Sequence, residues 1–135
     1  MRTALAALAA ALLALAGCGS ESPDLFEITR SGEDANANLT LVVSDGGTVS
    51  CDGSSHPLDA DRLLRARELE RELAEQAELG LELPPGPSPV LSYRVRMEAG
   101  TVSFADTSRD PPQSFQQLAA FTKDVAEDVC GVDRP

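Results

Sequence analysis

Three thiols, one imidazole and 22 carboxylates are the groups in this 135-residue sequence that could do chemistry. The thiols are Cys18, Cys51 and Cys130, and the imidazole is His56. A cysteine can act as a nucleophile, bind a metal, carry a modification or pair with another cysteine. Thiol redox chemistry of the C-x-x-C kind is not expected, because no such spacing occurs. Zinc needs four ligands, or three and a water, and one histidine with scattered cysteines does not supply them. His56 stands in "SSHP", beside Ser54 and Ser55. Ser–His catalysis also needs an orienting acid and oxyanion donors, and neither a nucleophile elbow nor a Gly-rich oxyanion segment is present.

The carboxylates offer one metal-like spacing. Asp34, Asn36, Asn38 and Asp45 fall where a calcium loop of the EF-hand type places four of its ligands. The position that needs glycine for the sharp turn is Leu39, and residues 39–44 read as a strand. A polar loop of turn formers is the expectation there. No Gly-rich phosphate loop runs from a strand into a helix. The sequence therefore predicts no catalytic residues, no cofactor and no metal site, and it assigns no partner-binding residues.

Cys18 has a distinctive setting. Arg2 precedes an uncharged run over 3–16 made almost wholly of Ala and Leu. That run suits the apolar core of an export signal and is shorter than the ~20 residues of a membrane-spanning helix. At its end, Leu15-Ala16-Gly17-Cys18 resembles the lipobox of bacterial lipoproteins. The resemblance implies diacylglycerol on the Cys18 sulfur, cleavage before Cys18 and fatty acylation, palmitate included, of the new amino terminus. It divides the chain into a signal peptide at 1–17, a lipidated cysteine with a short tether at 18–24, and a single domain at 25–131. It implies a place on the extracytoplasmic side of a bacterial cell membrane. If Cys18 carries lipid, Cys51 and Cys130 remain as an even pair in an oxidising compartment. A disulfide between them would close a loop of about 80 residues and stabilise the fold by roughly 4 kcal/mol. Two buried free thiols are the alternative.

Charge narrows the partners. The removed segment holds Arg2 and no acid, so the mature net charge moves from −11 to −12. Such a surface repels nucleic acid and anionic headgroups, so no nucleic-acid partner is expected, and the membrane would be reached through lipid alone. The 118 residues left are enough for one core.

The elements follow from periodicity. "LFEITR" at 25–30 and "LTLVVS" at 39–44 alternate as strands. "DGG" at 45–47 marks a hairpin, with a short strand over 48–51 and a loop over 52–57. Residues 59–79 predict a helix, with Asp59 as N-cap and Gly80 as stop. Leu63, Ala66, Leu69, Leu73, Ala74 and Ala77 share its apolar arc, and Glu70 falls inside that arc. Glu68 with Arg71, and Arg71 with Glu75, are spaced for surface pairs. "LELPPGPSP" at 81–89 must be an extended connector. Residues 90–98 and 101–106 form a second hairpin about Ala99-Gly100. Asp110 is placed to cap a helix whose first turn holds Pro111 and Pro112 and which runs to Cys130, with Gly131 as stop. The fold class is therefore α+β: an antiparallel sheet of four to five strands, two helices packed on one face and one disulfide. The exposed face would carry Arg94, Arg96, Thr101 and Ser103.

"FEITRSG", "LLRARELERELAE", "YRVRMEAGTVSFADTS" and "PPQSFQQL", taken in this order, resemble the emfourin group. These are small bacterial proteins associated with inhibition of thermolysin-type (M4) metalloproteases. The likeness covers most of residues 25–129. It departs from the group in its lipobox, its polar loop at 33–38 and its cysteine pair. Three readings follow. The first is a lipid-anchored binding domain without catalytic activity and with a protein partner. The second is an inhibitor of a secreted protease of that type. The third is a structural lipoprotein of the cell envelope.

Overall fold

The computed structural model describes residues 24–135. The leader and Cys18 lie outside the described residues. Six strands and two helices follow in the order β1 (Asp24–Ser31), β2 (Leu39–Ser44), β3 (Thr48–Cys51), β4 (Ser54–Pro57), α1 (Ala60–Glu78), β5 (Ser92–Met97), β6 (Gly100–Ala105) and α2 (Gln113–Asp128). The strands form one sheet in the order β4-β3-β2-β1-β5-β6, and every neighbouring pair is antiparallel. Both helices lie on one face. The architecture is α+β, as the alternation requires, with the Cys51–Cys130 disulfide formed.

The expected count of four to five strands is too low, because residues 52–57 are not a plain loop. Cys51 pairs with Ser54, which leaves Asp52-Gly53 as a two-residue turn with φ of 49° and 90°. Asp-Gly is the pair that tolerates two positive φ values, and such a turn carries the twist of the strands it joins. Ser54 and Ser55 are weak strand formers, so β4 has no apolar alternation. Its strand character comes from pairing with β3.

The start of α2 also differs from expectation. Asp110 does not cap it: its φ is 48°, and the helix begins at Gln113 after Pro112, with no side-chain cap. Pro111 is itself followed by a proline, which disfavours helical backbone at Pro111, so the helix starts after both. Asp59 does cap α1, its Oδ1 accepting from the Arg62 N–H at 3.0 Å. Gly80 ends α1 at φ 60°, with N–H bonds from Gly80 to Ala77 O and from Leu81 to Gln76 O that close a Schellman turn.

One apolar core lies between sheet and helices. From the sheet come Phe26, Ile28, Leu41, Val43, Val49, Val95 and Val102; from α1, Ala66, Leu69, Leu73 and Ala77; from α2, Phe115, Leu118, Phe121 and Val125. Glu70 is only half-buried, at the rim of the α1 arc. Gly100 marks the tightest approach. Its φ is 146°, and a Cβ there would land on the Ala77 carbonyl, so the β5–β6 hairpin sits on the end of α1 only with glycine at this point.

Candidate binding face

The face of the sheet away from the helices is built by the alternate residues of each strand. Register places them in rows. One row runs Ser55, Ser50, Val42, Glu27, Arg96, Thr101; the next runs Thr40, Thr29, Arg94, Ser103. Most of these side chains are short and end in hydroxyls. Above them stand Arg94 and Arg96, both exposed. The four residues expected on this face, Arg94, Arg96, Thr101 and Ser103, are therefore brought together on it. Arg96 pairs with Glu27 at 3.0 Å, whereas Arg94 makes no ion pair among the described residues.

A strap borders this face. The connector lies along β6, with Leu83 N–H on Ser103 O at 2.8 Å and Ser103 N–H on Leu81 O at 3.1 Å. These bonds occupy the β6 edge, which would otherwise be open to pairing with another chain. Two side chains fix the strap. The Ser108 hydroxyl donates to Pro84 O and accepts from Ala105 N–H, and the Asp106 carboxylate accepts from Val90 and Leu91 N–H. A shallow groove of about 360 Å³ results, with Thr29, Ser92, Arg94 and Ser103 on its floor and Leu83 and Pro85 at its wall. Its floor can donate, with one guanidinium free of ion pairs among hydroxyls, and its wall is apolar, a combination suited to the carboxylates or carbonyls of a polypeptide.

The other residues with chemical possibilities do not converge. His56 lies opposite Val49 on the edge strand, so it faces the helix side, while Ser55 faces the open side. The calcium-like set is dispersed over other tasks. Asp34 accepts from Asn36 N–H at 2.8 Å, Asn38 Oδ1 from Gly32 N–H at 3.4 Å, and Asp45 binds Arg67 at 2.6 Å. No group of three or more His, Cys, Asp or Glu side chains is placed to hold a metal ion among the described residues. No helix among them is long and apolar enough to cross a membrane.

The Glu68–Arg71 and Arg71–Glu75 pairs are not among the ion pairs of the described residues; the arginines of α1 that pair reach other groups instead. Arg67 crosses to Asp45. Arg62 grips Asp124 of α2 with Nε at 2.7 Å and Nη2 at 3.3 Å, and also meets Asp59 and Asp128. Asp59 is held below the usual carboxylate range, first by the Arg62 backbone N–H and then by its guanidinium; Asp124 is lowered first by hydrogen bonds from that guanidinium. A depressed carboxylate stabilises the fold above its unfolded pKa, near 3.9, and that contribution is lost as pH falls through the folded value. Arg62→Gln should therefore lower stability at pH 7, by an amount limited by solvent screening. The difference from wild type should shrink below about pH 4. Urea titrations at pH 7 and pH 3 check this; a pH-independent difference would show that the Arg62–carboxylate pairs are not its source.

Comparisons with family models, with curated proteins and with solved structures gave no match to this chain.

Proposed function

We propose that this chain is a lipid-anchored, extracytoplasmic binding domain without catalytic activity, which holds a protein partner on the helix-free face of its sheet. The open face carries the reading. Two helices cover one side of a six-stranded sheet and leave the other as a lawn of hydroxyls with two exposed arginines. In a chain of net charge −11, the middle of that face sets Arg94 and Arg96 against Glu27, with Glu82 beside Ser103 on the strap. An acidic or carbonyl-rich segment of a partner is repelled by most of the surface and accepted there. The tether is supported by Leu15-Ala16-Gly17-Cys18. Two or three acyl chains, at ~0.8 kcal/mol per buried methylene, hold a protein stably at a bilayer where one chain does not.

Cys18→Ala should shift the protein from the membrane fraction almost wholly into the soluble one. Retention in the membrane fraction would remove the lipid anchor from the account. A second reading, inhibition of a secreted thermolysin-type metalloprotease, is favoured by one observation. The segments that resemble the emfourin group form β1, α1, the β5–β6 hairpin and the opening of α2. Stoichiometric slowing of such a protease would make it the partner; no effect across several would leave the general binding role.

A further inference from the structure

At the end of the sheet where β1 stops and β5 begins, a pocket of about 370 Å³ opens against α2. Val90, Leu91, Ala119 and Ala120 give it apolar walls. Val90 is 58% exposed, one of few large apolar side chains left open among the described residues. Three cations meet there: Arg30, Lys123 and Arg134. The sequence has 11 basic residues against 22 acids, and Lys123 is its only lysine. Three cations against the single acid Glu127 therefore reverse the charge of the chain locally. With Asp106 counted as well, whose carboxylate accepts from Val90 and Leu91 N–H, the pocket still keeps a net charge of about +1.

The cations are arranged in depth. Arg30 is only 3% exposed and fixed, donating from Nε to Ala37 O at 2.9 Å and from Nη2 to Asn36 O at 2.7 Å. Lys123 is exposed and makes no ion pair among the described residues. Arg134 donates to Glu127 at 3.1 Å. That bond holds the Glu127 carboxyl below its usual range, with help from Lys123 and Arg30, so all three cations act on one negative charge in this place.

We infer that this pocket is a binding site for a small monocarboxylate with an apolar body, its carboxylate at Lys123 and Arg134 and its body against Val90, Leu91 and Ala120. The size is at the lower end of small-molecule sites, and the net charge neutralises one negative charge, not two. The inference does not rest on the open-face binding role, which uses the other side of the sheet.

Titration of the full chain with 4-phenylbutyrate, followed by the amide resonances of Ala119, Ala120 and Lys123, tests it. Saturable shifts with a dissociation constant on the order of 1 mM or below are expected. The neutral 4-phenylbutyramide and the body-less acetate should each bind at least tenfold more weakly. Lys123→Gln should weaken binding several-fold, and Glu127→Gln should strengthen it by removing the competing carboxylate. That opposite pair of effects is not produced by a general loss of folding. Equal binding of acid and amide, no saturable shift up to about 10 mM, or equal affinity in both variants would overturn the inference.

Discussion

Reduction of the Cys51–Cys130 disulfide is expected to cost about 4 kcal/mol of stability. The two residues are 79 apart in sequence, so the link removes a large share of the freedom of the unfolded chain. Little of the loss should come from the folded side. Backbone bonds place the end of α2 independently of the sulfurs: Cys130 N–H reaches Val125 O at 2.9 Å, and Val132 N–H reaches Ala126 O at 2.8 Å. The reduced protein should therefore keep its fold at neutral pH but unfold at lower urea. Its m-value should rise, because a chain without the link expands further on unfolding. Cys51→Ala with Cys130→Ala should behave alike. A stability loss below about 1 kcal/mol would mean that the folded state, or residual structure in the unfolded one, offsets the loop term.

Phe115→Ala should cost about 3–5 kcal/mol, measured in the same way. Phe115 sits in the first turn of α2, fully buried. Its ring stacks on Phe104 at 4.7 Å between centroids, and Phe104 stacks on Tyr93 at 4.9 Å. This ladder joins α2 to both strands of the second hairpin. It also fixes the position of the start of α2, which has no capping side chain. Phe115→Leu keeps most of the volume and should cost less than about 1.5 kcal/mol. Equal costs for the two would show that the site collapses around the smaller side chain and that the ladder does not position the helix.

Much of this fold can be read from local pattern. Alternation at 26, 28 and at 93, 95, 97 places the inward residues of β1 and β5, and Asp59 with Gly80 brackets α1. What escapes reading depends on partners far away in sequence. β4 has no apolar period and exists because β3 is beside it, although Asp52-Gly53 is a hairpin signal in its own right. Arg30 occupies the inward position after Phe26 and Ile28, where a charge breaks the pattern; it is buried because two loop carbonyls wait for it. The grip of Arg62 on Asp124 spans 62 residues and leaves no local trace. The groove is similar. Alternation places Arg94 and Ser103 on the open face, but the strap that walls them needs the bonds of Leu81 and Leu83 to Ser103.

The central claim is that the helix-free face holds a protein partner at the membrane surface. Its most direct test is a photo-crosslinking side chain in place of Thr40, on that face, with a control in place of Glu72, exposed on α1, both in intact cells. One discrete adduct is expected from position 40, lost when Arg94→Glu is added, and none from position 72. No adduct from position 40, or equal adducts from the two positions, would contradict it.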